Sequence, residues 1–205
     1  MRKIVVVGGS KGIGQAIVTS LVEENVVINI SRSAPLQPHA NLTHYNCDIL
    51  TDELPEIEAV DTLIYCPGSI NLKPISRLKL TDFREDFEIN VIGAVKAVQK
   101  YLPKLKNGNS PSILMFSTVA AKLGMPYHAS IAASKAAIEG LAKSLGAELA
   151  PNIRVNVIAP TVTETDLAAK LLRNEKMVEN ITDRHPLKKF LKPNEVADLA
   201  TFLIS

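Results

Sequence analysis

Three glycines near the amino terminus are spaced as in loops that bind phosphate. Residues 7–14 read Val-Gly-Gly-Ser-Lys-Gly-Ile-Gly, after the apolar run Lys3–Val7 and before a helical pattern. In a strand–turn–helix setting this spacing predicts a dinucleotide site. Gly8 allows a tight turn, Gly12 lets backbone N–H groups approach a pyrophosphate, and Gly14 lets the helix pack against the strand. The helix N-terminus adds a partial positive charge. The alternative is a tight turn without a ligand.

Two cations lie where they can discriminate between nicotinamide cofactors. The second predicted strand, Val26–Ile30, is followed by Ser31 and Arg32, with no acid at its end. Enzymes that select NAD usually place an acid there to bind the ribose 2′-hydroxyl. The planar guanidinium of Arg32 instead suits a 2′-phosphate, and Lys11 in the glycine loop adds a second cation. We therefore expect NADP(H) to be preferred over NAD(H). The alternative is that both are ordinary surface charges.

Asp48 follows the third predicted strand, His44–Cys47. Its carboxylate can accept a hydrogen bond from an adenine amino group, with the backbone of Ile49 beside it. A structural role, as an acid at a helix N-terminus, explains the spacing equally well.

Short apolar runs alternate with helical patterns and must position these residues. Strands are predicted at Lys3–Val7, Val26–Ile30, His44–Cys47, Asp61–Tyr65, Ser112–Phe116 and Arg154–Ile158. Helices are predicted at Gly12–Glu24, about 82–104 with Thr81 as N-cap, about 127–149, and Pro193–Ile204. The alternation indicates an α/β fold: one doubly wound parallel sheet of the Rossmann type, with about six strands and helices on both faces. We expect a single domain over residues 1–205, with ligands beyond the carboxyl ends of the strands.

Length and composition exclude several classes of protein. The chain has 205 residues, of which 46% are hydrophobic and 21% charged, and its net charge is +2. This composition excludes disorder and a coiled coil. So weak a charge bias gives no electrostatic case for nucleic acid or an anionic membrane. No apolar run approaches the roughly 20 residues of a membrane helix. Cys47 and Cys66 form no disulfide framework and no metal cluster, so we expect no metal and a cytoplasmic location.

Motifs along essentially the whole chain resemble those of the short-chain dehydrogenase/reductase family. Besides the glycine loop, the matching stretches are Cys47-Asp48-Ile49, Phe87-Glu-Ile-Asn90-Val91, Phe116-Ser-Thr118-Val-Ala120, Ala133-Ser-Lys135-Ala-Ala137, Arg154 through Pro160 to Thr165, and Pro186 to Leu203. The resemblance implies an oxidoreductase that uses a nicotinamide cofactor. It also implies that Asn90, Thr118 and Lys135 are catalytic.

The glycine loop and the resemblance together predict the cofactor site. Its residues are Gly8, Ser10, Lys11, Gly12, Ile13, Gly14, Ser31, Arg32, Asp48, Ile49, Cys66, Pro67, Gly68, Lys135, Pro160, Thr163 and Thr165. The turn after the fourth strand departs from the family, because Tyr65-Cys-Pro-Gly68 stands where the family has Asn-Asn-Ala-Gly. Only the glycine matches, so we expect the backbone of this turn to serve the cofactor without the Asn side chains.

A second departure concerns the proton donor. In the family a Tyr precedes the catalytic Lys by one helical turn, and the Lys ammonium holds the nicotinamide ribose and lowers the pKa of that Tyr. Counting back from Lys135 and forward from Thr118 both lead to Ile131. An isoleucine has no proton to donate, and general acid catalysis contributes about 10²–10⁴-fold. We therefore expect impaired or altered proton donation.

Tyr127 and His128 are candidate substitutes. The enoyl-thioester reductase branch of the same superfamily places its Tyr one turn earlier, with an apolar residue at the usual position. His128 occupies that earlier position with Tyr127 beside it, and on a helix Tyr127, Ile131 and Lys135 lie near one stripe. The alternative is that Tyr127 only packs at the start of a helix.

Three functions remain open. The chain can be an NADP(H)-dependent oxidoreductase acting on a small carbonyl or hydroxyl substrate, a reductase of activated C=C bonds that uses Tyr127 or His128, or a non-catalytic NADP(H)-binding sensor or assembly protein. The segments 69–80 and 165–186 should shape the substrate pocket. The resemblance implies a homodimer through the helices at 82–104 and 127–149. Family members continue into a last strand where this sequence ends at Ser205, so we expect six strands.

Overall fold

The computed structural model describes residues 1–35 and 37–205 and contains a single parallel sheet. Its six strands are β1 (Lys3–Val7), β2 (Val26–Ser31), β3 (Leu42–Asn46), β4 (Thr62–Tyr65), β5 (Ser112–Phe116) and β6 (Arg154–Ile158). Their order is β3-β2-β1-β4-β5-β6, and every neighbouring pair is parallel. The order reverses between β1 and β4, where open sheets of this type bind ligands. The predicted Rossmann-type fold is confirmed.

Helices cover both faces of the sheet. They are α1 (Gly12–Leu21), α2 (Leu80–Phe87), α3 (Gly93–Leu105), α4 (Ala129–Leu149), α5 (Glu175–Arg184) and α6 (Pro193–Ile204). A π-helical turn at Glu88–Ile92 joins α2 to α3, so the helix predicted at 82–104 is one rod with a wide turn inside it. No helix among the described residues is both long enough and apolar enough to cross a membrane.

Two predicted helix starts are wrong. The helix containing Asp82 begins at Leu80, with Lys79 rather than Thr81 as its N-cap residue, because the Asp82 carboxylate accepts a hydrogen bond from the Lys79 backbone N–H at 2.8 Å. The helix predicted from residue 127 begins at Ala129. Tyr127 has a φ of +68°, which no helical residue adopts.

The helix α5 lies within the segment 165–186, a charged stretch without a strand signal in which no helix is predicted. Asn174 caps it, since its side-chain oxygen accepts a hydrogen bond from the Met177 backbone N–H at 3.0 Å. None of the residues of α5 is buried. Its apolar side chains Met177, Val178 and Ile181 lie on one face that is only half-buried, so the helix lies at the surface.

Alternating side chains of β1 explain why its apolar run is continuous. Val5 and Val7 point into the core shared with α3 and α4, whereas Ile4 and Val6 point into the core shared with α1 and α6. All four side chains are buried. Helices on both faces of a parallel sheet leave no polar side to its central strands.

Candidate functional site

Two adjoining cavities open at the carboxyl ends of the strands. The first, called here the glycine-loop cavity, is lined by the predicted residues Gly8, Ser10, Lys11, Ser31, Arg32, Asp48, Ile49, Pro67 and Gly68. The second, called the Lys135 cavity, is lined by the predicted residues Ile13, Cys66, Gly68, Thr118, Lys135, Pro160, Thr163 and Thr165. Gly68 and Ser69 line both cavities, so they form the neck between them. The structure thus brings most of the predicted site residues into one continuous cleft.

The glycine loop adopts a backbone that needs its glycines. Gly8 has a φ of +80° and Gly12 a φ of +54°, a region that favours glycine. A Cβ on Gly14 would lie 2.2 Å from the carbonyl oxygen of Gly8, so α1 meets the loop at a distance that no side chain permits. Gly12 lines a neighbouring cleft with Thr165. The loop and the start of α1 therefore form the cradle that a pyrophosphate requires.

A buried amide, which the sequence analysis did not assign to the site, holds this loop in place. Asn29 of β2 is fully buried, and its side-chain oxygen accepts a hydrogen bond from the Gly9 backbone N–H at 2.9 Å. A Cβ on Gly9 would lie 2.6 Å from that oxygen. The Asn29 amide also donates to the Ser31 hydroxyl at 2.8 Å. A polar residue inside an otherwise apolar strand is the sequence signal that could have found it.

Charged side chains lie on either side of the glycine loop. Arg32 is 81% exposed, and its guanidinium nitrogen lies 3.9 Å from a carboxylate oxygen of Asp48. The other oxygen of Asp48 accepts a hydrogen bond from the Leu50 backbone N–H at 3.0 Å, so Asp48 both lines the cavity and orders the turn after β3. The Lys11 ammonium lies 3.9 Å from Asp166 and is also exposed. Both cations can reach an anion in the cavity.

Lys135 lies in the Lys135 cavity on α4. Its ammonium donates a hydrogen bond to the Phe116 carbonyl at 2.9 Å. Burial lowers the pKa of Lys135 to about 8, although Cys66 and Asp86 act in the opposite direction. Burial also raises the pKa of the Cys66 thiol to about 12, so this thiol is protonated at neutral pH. At neutral pH the Lys135 ammonium therefore lies beside an uncharged thiol, and a rise in pH through about 8 removes its own charge.

Asn90 lies in the π-helical turn, beneath the neck. Its amide nitrogen donates to the Asp86 carbonyl at 2.7 Å and to the Ser69 hydroxyl at 3.2 Å. Its side-chain oxygen is buried and has no hydrogen-bond partner among residues 1–35 and 37–205. A Cβ on Gly68 would lie 3.1 Å from that oxygen and 3.5 Å from the Lys135 nitrogen. Asn90 and Lys135 therefore converge on Gly68, where an added Cβ would be tight against the Asn90 oxygen.

Two hydroxyls follow β5 and have different surroundings. Thr118 lines the Lys135 cavity, and its hydroxyl oxygen accepts a hydrogen bond from the Ala120 backbone N–H at 3.3 Å. The Ser117 hydroxyl donates to the Glu139 carboxylate at 2.9 Å and so ties β5 to α4. Of the two, the Thr118 hydroxyl is the better placed to contact a substrate.

The three candidate positions for proton donation separate in the structure. Ile131 is only 3% exposed, and it lines the Lys135 cavity. Tyr127 is 60% exposed, precedes α4, and is absent from the described lining of either cavity. The expectation that Tyr127 shares a helical stripe with Ile131 and Lys135 is therefore wrong, because the backbone at Tyr127 is left-handed.

His128 lines the Lys135 cavity. Its Nδ1 lies 2.7 Å from the Pro126 carbonyl oxygen. Since a carbonyl only accepts, Nδ1 must carry a proton, and Nε2 is left as the second protonation site of the ring.

The far wall of the Lys135 cavity comes from the segment after β6. Pro160, Thr163 and Thr165 line it as predicted. A hydrogen bond that no sequence pattern predicts joins this segment to the residue after α5: the Thr161 hydroxyl oxygen lies 2.6 Å from Nε2 of His185. The remaining wall is mostly apolar and includes Ile70, Met125, Val162, Leu167 and Leu171. In the part of the chain that the structure describes, no group of three or more His, Cys, Asp or Glu side chains is placed to hold a metal ion.

Comparison with known proteins agrees with this architecture. The family model described as enoyl-(acyl carrier protein) reductase matches residues 7–205. The chain is 26% identical over 224 residues to 2,5-dichloro-2,5-cyclohexadiene-1,4-diol dehydrogenase of Sphingobium indicum, which covers 100% of this chain and 90% of the relative. It is 35% identical over 147 residues to 3-oxoacyl-(acyl-carrier-protein) reductase FabG of Thermotoga maritima, covering 71% and 59%.

A solved structure shows the same fold over the whole chain. The ligand-free aldohexose dehydrogenase of Thermoplasma acidophilum superposes with a TM-score of 0.89 at 26% identity, covering 100% of this chain and 87% of that one. The match of the family model to nearly the entire sequence, together with the cleft described above, shows that the chain belongs to the short-chain dehydrogenase/reductase family.

Proposed function

We propose that this protein is an NADP(H)-dependent oxidoreductase that acts on a small carbonyl or hydroxyl substrate, with a proton donor other than the tyrosine usual in its family. Its relatives are oxidoreductases, and the family binds nicotinamide cofactors. The observation that carries the proposal is the continuous cleft, with a glycine cradle at one end and the Lys135 ammonium at the other. A bound NADPH supplies a hydride.

Each end of the cleft has residues suited to one half of the cofactor. The N–H groups of the glycine loop bind the pyrophosphate, and Arg32 with Lys11 binds the 2′-phosphate. Asp48 accepts a hydrogen bond from the adenine amino group. At the other end, the Lys135 ammonium holds the nicotinamide ribose, and the Thr118 hydroxyl orients the substrate oxygen. The apolar wall excludes water from the reacting atoms.

His128 is the proton donor in this proposal. The Ile131 side chain in this cavity is a hydrocarbon and has no exchangeable proton. His128 lines the same cavity, and the Pro126 carbonyl contacts its Nδ1 rather than its Nε2. A protonated His128 can give the Nε2 proton to a substrate oxygen or to an α-carbon. The second outcome is the reduction of an activated C=C bond, which the apolar wall accommodates equally well.

The cofactor proposal is tested by fluorescence titration with NADPH and NADH. We expect NADPH to bind at least tenfold more tightly, since a guanidinium–phosphate bond contributes about 1.5–3 kcal/mol. Arg32→Ala should remove most of this preference. Arg173→Ala changes an exposed arginine that is not part of the described lining of either cavity and should change neither affinity. Failure of the folded protein to bind either coenzyme at millimolar concentration would overturn the proposal.

The proton-donor proposal is tested by NADPH oxidation with panels of ketones and enones. His128→Gln should lower turnover about 10²-fold without changing the Kd for NADPH. Tyr127→Phe is the matched control, because the neighbouring ring lies outside the cavity, and it should leave turnover unchanged. Equal turnover by His128→Gln and the parent chain excludes His128. NADPH binding without turnover on any substrate favours the non-catalytic sensor or assembly role.

Two further features belong to the same proposal. We propose a homodimer through the helices at 82–104 and 127–149, because Ala133, Ala136 and Gly140 leave a shallow exposed face on α4. Light scattering should give a dimer mass, and Gly140→Arg should give a monomer.

Both Cys47 and Cys66 are free thiols, which supports a reducing, cytoplasmic location.

A further inference from the structure

A buried carboxylate lies behind the neck between the two cavities. Asp86 is fully buried, and it forms no ion pair in the described part of the chain. Three donors compensate: the Ser69 hydroxyl at 2.5 Å, the Asn71 amide at 3.0 Å and the Ser130 hydroxyl at 2.6 Å. A buried carboxylate is costly unless its oxygens are hydrogen-bonded, so this arrangement is specific.

The carboxylate determines which hydrogen bonds Ser69 can make. The only hydroxyl proton of Ser69 points to Asp86, and one of its lone pairs accepts from the Asn90 amide. One lone pair remains. Because Ser69 lines both cavities, that lone pair is the group it can offer to a ligand. The negative charge of Asp86 also makes the Ser69 oxygen a stronger acceptor.

The neck therefore combines an acceptor and a cation. Ser69 follows Gly68 directly, and the Lys135 ammonium lies just behind Gly68. An acceptor next to an ammonium complements a vicinal diol, because one hydroxyl donates to the acceptor while a diol oxygen accepts from the ammonium. In a dinucleotide that spans both cavities, the group at the neck on the Lys135 side is the nicotinamide ribose.

We propose that Ser69 binds a hydroxyl of the nicotinamide ribose, and that Asp86 is the positioning residue that holds Ser69 as an acceptor. This inference rests on the proposed function, since it takes the dinucleotide as given. It assigns a ribose contact to a residue outside the motifs that identify the family. Asp86 reaches the ligand only through Ser69, and its bonds to Asn71 and Ser130 hold the same loop and α4 in place.

Two ligands separate a ribose contact from a general structural role. NADPH contains the nicotinamide ribose, whereas adenosine 2′,5′-bisphosphate occupies only the adenosine half of the site. We expect Ser69→Ala to weaken NADPH binding about tenfold in a calorimetric titration and to leave the affinity for the bisphosphate unchanged. Asp86→Asn should have the same selectivity with a smaller loss. Ser69→Thr, which keeps the hydroxyl, should restore most of the affinity.

The controls make each outcome decisive. Ser76→Ala removes an exposed serine outside the described lining of both cavities and should change neither affinity. Thermal melts identify any variant that fails to fold. If Asp86→Asn does not fold, Ser69→Ala alone provides the test. The inference is overturned if Ser69→Ala binds NADPH like the parent chain, or if it loses both ligands equally. A parent chain that binds neither ligand overturns the proposed function instead, and this inference with it.

Discussion

The two cavities of the cleft are built in different ways. One wall of the glycine-loop cavity is a short segment whose backbone is fixed by local requirements: a left-handed turn at Gly8 and a helix that meets the loop at Gly14. The residues after β2, β3 and β4 and one side of α2 supply the other walls. The Lys135 cavity collects side chains from β4, β5, α4 and the segment after β6. A phosphate cradle can therefore be recognised from consecutive residues, whereas a reaction centre depends on residues that are distant in sequence.

The two cavities also tolerate substitution differently. In the glycine loop a methyl group added at Gly14 would collide with the Gly8 backbone. A change to this motif therefore also disturbs the fold. In the Lys135 cavity Ile131 is an ordinary buried apolar residue, so the fold does not require a polar side chain at this position. A family member can thus keep cofactor binding while its proton chemistry changes.

The largest expected effect comes from placing a phenol in the Lys135 cavity. Ile131→Tyr should raise NADPH-dependent ketone reduction by about 10²-fold or more, because the new hydroxyl lies on the helix face of Lys135 and can donate a proton. Steady-state NADPH oxidation measures the change. Ile131→Phe adds the same ring without the hydroxyl and should give no gain. Equal rates for the two variants would show that proton donation is not what this cavity lacks.

In the glycine-loop cavity, Gly14→Ala should be the most damaging small change. Its Cβ would lie 2.2 Å from the Gly8 carbonyl, so α1 must move away from the loop. We expect a loss of about 3 kcal/mol of unfolding free energy, measured by urea denaturation, together with loss of NADPH binding. Gly146→Ala is the matched control in α4, where the nearest described atom lies 3.9 Å away. That change should stabilise by up to about 1 kcal/mol.

The support of the glycine loop is tested by Asn29→Ala. This variant leaves the Gly9 N–H buried without an acceptor and should cost about 2 kcal/mol of stability in urea denaturation. NADPH affinity should fall with it, because the loop loses its anchor. Asn25→Ala removes a hydrogen bond of 3.0 Å to the Leu21 carbonyl at a half-buried position. Asn25→Ala should lose less than half as much unfolding free energy as Asn29→Ala. An equal loss in the two variants would contradict the anchoring role of Asn29.

The smallest effect expected is a pH dependence confined to the Lys135 cavity. With a pKa near 8, the Lys135 ammonium loses its proton as the pH rises through 8, so NADPH affinity should fall several-fold between pH 7 and 9. Fluorescence titration across this range measures the fall. Lys135→Met should bind more weakly at pH 7 and show a flatter profile. The same profile in both chains would assign the pH dependence to another group.

Stability should change in the opposite direction over the same window. Because the pKa of Lys135 is lowered in the folded state, the unfolded chain holds more protons between about pH 8 and 10. The contribution of Lys135 to the unfolding free energy therefore rises with pH over this range. The stability of the parent chain minus that of Lys135→Met, measured in thermal melts at each pH, isolates this contribution. A stability difference that falls as the pH rises would contradict it.

The sequence predicted most of the fold because its signals are local. The alternation of apolar runs and helical patterns located all six strands, and the boundaries of β1, β5 and β6 match the prediction. The errors lie where tertiary contacts decide. The start of α4 depends on a left-handed residue at Tyr127, and none of the residues of α5 is fully buried. Asn29 and Asp86 were missed as site residues because their partners are far away in sequence, and Ser69 was expected only as part of the segment 69–80 that shapes the substrate pocket.

What the sequence determined by itself is the phosphate cradle and the sheet, since spacing and apolar periodicity act over a few residues. Only the tertiary structure decided that His128 faces the Lys135 cavity while Tyr127 does not, and that Asp86 orients Ser69 at the neck. The physical reason is that hydrogen bonds and burial act in space. A helix that begins two residues later, or a carboxylate that meets a loop from another element, changes the chemistry without changing any local pattern.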